Sequence, residues 1–486
     1  MGAEATPAPG PASGGTLRRP GPVVGFHTFH SYAGHPGKDG ANFAYTEVAR
    51  LLAGSAEVRP KPHDVVELFR SDEAARAALT GCDVVVATVG PHAYLYFHLR
   101  ERLGLDFRIV RDARTALWNG YLQQEALSAP YLRPGDVLYH SSRYSLALYS
   151  MLFPGLAHSR QAVCYPLLRW FPERLAGSWT GSGGDGTTIG FVGRLTDDKN
   201  HSQAISLQRE LNRRAPGAFQ TVAIGEGGQG MAAGEPAVPG YKCRPPVDRD
   251  RLWQDYREMD VLFFPSTSSL ETFGRVLVEA SFVGTPVLAS THAAASELLP
   301  SESLLPTTLR ADVDFTTHLA ARLGDVDIAH AADLLVAGAI PPAGQGHTHY
   351  AEHDRLLLDL IRGDAPDPSA AEPAPTTIQQ AFLDRLRMRG LDLAPDPAAA
   401  DRMIGRLRRP FTALHRSGSP RHLGTLALLL ARSGYRRKTA SFVRKSLFHG
   451  EDFTNIGGVD LQLSHLIGFE PRFTITSHRD ESGSPC

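Results

Sequence analysis

The chain has little that would staple it covalently or anchor it. Only 4 of its 486 residues are cysteine, and Cys82, Cys164, Cys243 and Cys486 stand far apart with no C-x-x-C pair. That spacing excludes a paired-cysteine zinc site and a disulfide framework, and suits reduced thiols. No uninterrupted apolar run approaches the ~18 residues a membrane helix requires. The first residues, MGAEATPAPGPASGGTLRRPGP, contain no hydrophobic segment of the kind a secretory signal needs, so the expected location is the cytoplasm. An excess of one charge is also missing: 50 Lys and Arg stand against 51 Asp and Glu, a net charge of -1. That balance argues against nucleic acid as a partner, which calls for a basic footprint.

What the chain does have is length and an apolar content of 42%, enough for two to four folding units with cores of their own. Residues 1–21, rich in Ala, Pro and Gly, read as a disordered tail. From residue 22 to 176, apolar runs alternate with helical patterns: Val23-Val24-Gly25-Phe26, Val84-Val85-Val86, Arg108-Ile109-Val110 and Val137-Leu138-Tyr139. A polar, Gly-rich break follows at Gly177–Gly186. The alternation then restarts over residues 187–340, with runs at Thr188–Val192, Thr221–Ile224, Val261–Phe264 and Pro286–Leu288. Such alternation predicts two α/β units, each with a doubly wound parallel sheet. Residues 341–363, with Leu356, Leu357, Leu358, Leu360 and Ile361, read as a helix closing the second unit. Residues 364–376 form a Pro/Ala-rich linker, and residues 377–486 a mainly helical, basic domain.

The segment Asp260–Pro286, DVLFFPSTSSLETFGRVLVEASFVGTP, carries the most chemistry. A buried strand stops at Pro265-Ser266, and after a polar loop Glu271 opens a helix that contains Glu279. Eight positions are a little over two helical turns, so both carboxylates face nearly the same side. Thr272, Phe273 and Gly274 place backbone N–H groups at the helix N-terminus, an arrangement suited to an anion. By themselves two glutamates at this spacing describe a solvated helix face.

Taken together, the strand, the Pro-Ser stop, Glu-Thr-Phe-Gly, Glu279-Ala280 and Gly284-Thr285-Pro286-Val287 resemble the signature of the retaining GT-B glycosyltransferases, in particular the family called glycosyl transferases group 1. The resemblance extends from about Val23 to Gly363. It implies a fold of two Rossmann-like doubly wound domains facing a cleft, with a nucleotide-diphosphate sugar as co-substrate and neither cofactor nor metal. Phe191-Val192-Gly193-Arg194-Leu195 followed by Asp198-Lys199-Asn200 is similar to the family's basic pair. By that likeness Arg194 and Lys199 hold the donor diphosphate, a role that a planar guanidinium fork and a compact ammonium suit. The resemblance further implies that Glu271 contacts sugar hydroxyls, that Glu279 accepts from the ribose, and that the Thr272–Gly274 backbone meets the distal phosphate. Gly225, in Gly225-Glu226-Gly227, matches the family's glycine turn and equally an ordinary tight turn. Gly240-Tyr241-Lys242-Cys243 falls where the family places the base. Asp197-Asp198 reads as part of the phosphate-loop turn and not as a metal pair.

The first unit matches less closely. Gly37 and Gly40, in Gly37-Lys38-Asp39-Gly40, resemble the glycine-rich loop between donor and acceptor, and equally a plain loop. Where the family often carries a histidine, this chain has Arg111-Asp112, so one of these assumes the role or the branch is divergent. His27, His30, His92 and His140 are nearby, and each fits a structural histidine. After Ser290 the family's glycines are replaced by Ala293-Ala294-Ala295 before Ser296-Glu297, which narrows the room for a sugar and bears on donor choice.

Beyond Ile378 there are 17 Lys and Arg against 10 Asp and Glu. Arg436, Arg437, Lys438, Arg444 and Lys445 flank Phe442, Val443 and Leu447, a pattern shared by membrane-surface helices, anionic-acceptor sites, subunit contacts including a homo-oligomer, and simple solvated faces. With 44 arginines to 6 lysines and abundant Ala, Gly and Pro, the composition is that of GC-rich bacterial genomes. The expected function is a metal-independent transfer of sugar from a UDP- or GDP-type donor to a small-molecule or envelope acceptor with retention, in specialised metabolism or envelope assembly. The alternatives are a relative that couples the donor to a cyclitol, and a silent nucleotide-sugar-binding protein.

Overall fold

The computed structural model describes residues 21–28, 40–64, 67–68, 71–87, 93–113, 127–152, 160–166, 171–184, 186–227, 237–268, 270–311, 322–340, 351–364, 376, 379, 387–389, 397–398, 401–402, 404–405, 408 and 474–476. Among them the chain builds two six-stranded sheets, in which every pairing is parallel.

The first sheet contains β1 (Val23–Thr28), β2 (Arg59–Asp64), β3 (Val84–Ala87), β4 (Arg108–Asp112), β5 (Val137–His140) and β6 (Arg160–Val163), in the order β2-β1-β3-β4-β5-β6. Helices α1 (Gly40–Gly54), α2 (Asp72–Leu79), α3 (Ala93–Arg102) and α4 (Arg143–Leu152) connect the strands. The period-2 geometry of a strand explains the continuous apolar run in β3. Val84 and Val86 enter one core with Val24, Phe26 and Val110, while Val85 and Ala87 enter the other with Tyr94, Phe97 and Ile109.

The second sheet contains β7 (Thr187–Val192), β8 (Phe219–Ile224), β9 (Tyr241–Arg244), β10 (Val261–Phe264), β11 (Val287–Ser290) and β12 (Leu304–Leu305), in the order β12-β11-β10-β7-β8-β9. Its helices are α5 (His201–Arg214), α6 (Arg249–Glu258), α7 (Arg275–Val283), the short α8 (Ala295–Leu298) and α9 (Ile328–Val336). Leu262 and Phe264 pack towards α6 and α7, and Val261 and Phe263 towards α5 and α9. Read from the other edge, this is the 3-2-1-4-5-6 strand order. Its direction reverses between β7 and β10, so the carboxyl ends of those two strands flank the crevice where such sheets bind ligands.

A final helix, α10 (Ala351–Arg362), departs from expectation. Leu357, Leu358, Leu360 and Ile361 are buried with Val24, Val48, Val84 and Val137 of the first unit, so α10 closes the first unit and not the second. Glu57 accepts ion pairs from Arg355 and Arg362 at the same junction. The apolar period of the helix shows in the sequence, but the period carries no information about which sheet receives it.

No helix among the described residues is long and apolar enough to cross a membrane. The expected tail 1–21, apart from Gly21, and the cluster Arg436–Leu447 lie outside the described residues. From the last hundred residues, the structure describes a short antiparallel pair, Arg387–Arg389 with Thr474–Thr476, and helical residues between 397 and 408.

Candidate nucleotide-sugar site

The loops after β7 and β10 meet at the point where the second sheet reverses. After β7, residues Asp197–Lys199 form one 3-10 turn, closed by Asn200 in the left-handed region at φ 57°, a conformation asparagine tolerates. Asn200 is fully buried. Its amide donates to the Pro265 carbonyl at 2.8 Å, just past β10, and to the Gly324 carbonyl at 2.9 Å. Asp198, also buried, accepts from Thr196 Oγ1 at 2.6 Å, Ser268 Oγ at 2.9 Å and Arg194 Nη2 at 2.9 Å. These bonds lock the two loops together.

The result is that Lys199 Nζ stands 2.6 Å from Glu271 Oε2, with both side chains mostly buried. Burial pushes the Glu271 carboxyl up, but the Lys199 ammonium, His292 and the Phe273 N–H together hold it below the usual carboxylate range. Arg194, tethered to Asp198, leaves half of its side chain in solvent. Lys199 and Glu271 are thus paired across the two loops at the switch point, while Arg194, on the same loop as Lys199, contacts Asp198.

The other expected residues are arranged differently. The helix starts later than expected: α7 begins at Arg275, with Gly274 left-handed before it at φ 90°, so Glu271 lies in the preceding loop and shares no helix face with Glu279. The Phe273 N–H is engaged by Glu271, and the Phe273 ring is buried against Tyr165 at 5.7 Å. The Thr272 carbonyl accepts from Ser142 Oγ of the first unit at 2.6 Å. Glu279 is buried with both oxygens engaged: Oε1 accepts from Arg275 at 2.7 Å and Arg249 at 2.9 Å, and Oε2 from Tyr256 at 2.9 Å. Burial raises its carboxyl, and Arg249 and Arg275 outweigh that and lower it. Gly225 is required by packing, because a Cβ there would stand 1.6 Å from the Gly193 carbonyl oxygen. Its place in the fold is to let the β8 turn lie against the strand end that carries Arg194.

In the first unit Arg111 and Asp112 are buried, and Arg111 Nη1 donates to the Asp112 carbonyl at 2.8 Å. His140 is buried with Nδ1 3.1 Å from the Ala113 carbonyl and Nε2 3.0 Å from the Gln161 amide oxygen, and burial pushes its pKa down to about 4. His27 and His63 share Tyr96, whose hydroxyl lies 3.3 Å from His27 Nδ1 and 2.7 Å from His63 Nε2. Gly40 opens α1, whereas Gly37, His30 and His92 lie outside the described residues.

Sequence reasoning missed the seam between the units. The Glu297 carboxylate of α8 accepts the backbone N–H groups of Arg143 at 2.9 Å and Tyr144 at 3.0 Å, at the start of α4, together with the Tyr165 hydroxyl at 3.0 Å. A carboxylate from one unit thereby satisfies the orphan donors and dipole of a helix in the other. Burial raises its pKa. Nearby, Arg275 of α7 reaches Glu47 of α1 at 3.5 Å. Glu47 is fully buried, and burial pushes its pKa up to about 8 in spite of that arginine. His292, on the loop after β11, was also missed. It is buried, donates from Nε2 to the Ser268 carbonyl at 3.1 Å, and meets the Tyr144 ring at 5.0 Å. The only sequence signal for these residues was the departure from glycine beside them.

The fold and site together define an α/β protein with a charged site at the topological switch point of its second sheet. Residues 180–303, about a quarter of the chain, match the family model of glycosyl transferases group 1. Both motifs that carry the resemblance lie within that segment, and over it the likeness to this family stands. A D-inositol 3-phosphate glycosyltransferase of Nocardia farcinica is 37% identical over 113 residues, covering 21% of this chain and 25% of that protein. Its counterpart in Acidothermus cellulolyticus is 33% identical over 120 residues, covering 22% and 26%. The chain thus spans about a quarter of the length of the curated relatives it matches. Among solved structures, Anabaena HepE in complex with UDP-glucose covers 75% of this chain and 99% of its own, at 14% identity and a TM-score of 0.43.

Proposed function

We propose that this protein is a glycosyltransferase that moves a sugar from a nucleotide-diphosphate donor, of UDP or GDP type, to a small-molecule or envelope acceptor with retention and without a bound metal. The observation that carries this reading is the Lys199–Glu271 pair, 2.6 Å apart, assembled from the two loops at the switch point within the segment that matches the family model. In this reading the Lys199 ammonium moves from Glu271 to the diphosphate oxygens when the donor binds, and Arg194, tethered but half exposed, closes on them from solvent. Both stabilise the negative charge that grows on the departing diphosphate. Glu271, relieved of its cation, accepts from the sugar hydroxyls. The seam residues Glu297 and Ser142 hold the first unit against the donor loop and exclude water from the reaction. The enzyme acts in the cytoplasm on an acceptor bound by the first unit, and the inositol phosphate named for the Nocardia relative belongs in any acceptor screen.

Thermal-shift measurements with UDP, GDP, ADP, TDP and their common sugar conjugates test the donor site. A ligand at ~100 times its dissociation constant stabilises by roughly 2.7 kcal/mol, which is a rise of about 2–4 °C per kcal/mol for a domain of ~150–250 residues. A shift confined to one nucleotide series supports the reading and names the base. A transition unmoved by every nucleotide overturns it. Donor binding without turnover against a broad acceptor panel would leave a silent binding protein.

A further inference from the structure

The end of the Pro/Ala-rich linker and the residues just past it touch the loop after β11 in a way the two α/β units do not require. Thr376 and Gln379 form a reciprocal capping box. The Gln379 N–H donates to Thr376 Oγ1 at 3.3 Å, and the Thr376 N–H donates to Gln379 Oε1 at 3.1 Å. The Thr376 hydroxyl and the Gln379 amide nitrogen remain free to donate, and both donate to the same loop after β11. Thr376 Oγ1 donates to the Thr291 carbonyl at 3.0 Å, and Gln379 Nε2 to the Ala293 carbonyl at 2.7 Å. The residue between those two carbonyls is His292.

Two further observations show that the loop is held in place and is short of a partner. Ala293 has φ 51°, a left-handed conformation that costs an alanine about 1–2 kcal/mol, so the loop needs an outside restraint to stay in it. Gln379, itself 3% exposed, supplies one. His292 Nε2 faces a carbonyl, which can only accept, so Nε2 carries the proton. Burial holds the ring's pKa near about 4, so it is neutral at pH 7. Its Nδ1 therefore presents a lone pair, and that buried atom has no hydrogen-bond partner among the described residues. A buried acceptor left unmatched is costly unless something fills it. The Ser268 carbonyl that receives His292 Nε2 also receives the Glu271 N–H at 2.9 Å, which sets the ring against the turn that carries the carboxylate assigned to the sugar.

We propose that His292 Nδ1 accepts a hydrogen bond from a hydroxyl of the donor's sugar, and that Thr376 and Gln379 are positioning residues that fix His292 by holding the carbonyls on either side of it. This rests on the donor-site reading above and extends it. The region beyond the second unit thereby takes part in choosing which sugar is transferred.

Two substitutions in the full chain isolate the claim. His292→Leu removes the Nδ1 acceptor together with the bond from Nε2 to the Ser268 carbonyl. Gln379→Glu keeps the capping box, in which glutamate serves as well, but cannot donate to Ala293. Titration calorimetry then compares a nucleoside diphosphate with its sugar conjugate, using the series that shifts the wild-type transition. Each substitution is expected to weaken the sugar conjugate roughly tenfold, as the loss of one buried hydrogen bond would, while the diphosphate binds as before. Equal weakening of both ligands would mean a purely structural role, and no weakening of either would remove the role altogether. Both results overturn the inference while leaving the donor site standing. A wild-type protein that binds no nucleotide removes the donor reading and this inference together.

Discussion

The two α/β units place polar residues at the same positions, the carboxyl ends of parallel strands, and use them in opposite ways. In the first unit the groups are spent inside the fold. Arg111 donates to the carbonyl of its own neighbour, His140 lies between Ala113 and Gln161, and, away from those strand ends, Arg100 of α3 grips Asp136, just ahead of β5, through two bonds of 2.7 and 2.9 Å. In the second unit Lys199 pairs with Glu271 across two loops, and Arg194 lies half in solvent. A side chain bound to a backbone carbonyl of its own core cannot be offered a better partner by a ligand. A cation paired with a carboxylate at a crevice can exchange it for a phosphate. Burial and partner type, more than residue type, separate scaffold from site.

The comparison predicts that the two units fail differently. Arg100→Ala leaves Asp136 charged and unpaired in a site where both side chains are 1% exposed or less, so stability should fall by about 3–5 kcal/mol. Any nucleotide-induced rise in melting temperature should be of the same size as in the parent protein. A loss of nucleotide response at temperatures where the variant is still folded would show that the first unit's core belongs to the site.

Lys199→Ala should do the reverse. Turnover with the cognate donor is expected to drop by ~10²–10³, the usual effect of deleting one charge-stabilising donor, while the melting temperature falls less than in Arg100→Ala because this pair keeps some contact with solvent. Unaltered turnover would mean that the pair at the switch point is scaffold after all.

A third effect, visible only as pH is changed, concerns the seam. With its carboxyl pushed up to about 8, Glu47 stays protonated in the folded chain while its unfolded counterpart ionises. Its contribution is full below about pH 4.5 and is lost as pH rises to about 8, with a slope of at most about 1.4 kcal/mol per pH unit. Glu47→Gln should flatten that part of the denaturation profile. An unchanged slope in the variant would assign the pH response to other groups.

Much of this protein was legible without coordinates, and the reason is local. Alternating apolar runs specify strands and helices through their periods, and Phe191–Asn200 and Asp260–Pro286 each encode a strand, its stop and the turn that follows. Arg194, Lys199 and Glu271 could be named because each sits a few residues past a recognisable strand end. Glu279 was equally visible, but its present partners were not, since Arg249 and Tyr256 come from a different helix.

Local patterning therefore accounts for the two α/β halves and for the loops that carry charge. The tertiary structure alone decided which distant pieces those loops meet. It delivered α10 to the first sheet, set Glu297 on the N-terminus of α4, and brought Thr376 and Gln379 to carbonyls 85 and 86 residues earlier in the chain. A hydrophobic period states that a face must be buried and not against what, and a carbonyl carries no sequence signature at all. Contacts of that kind exist only once the two sheets have formed and packed.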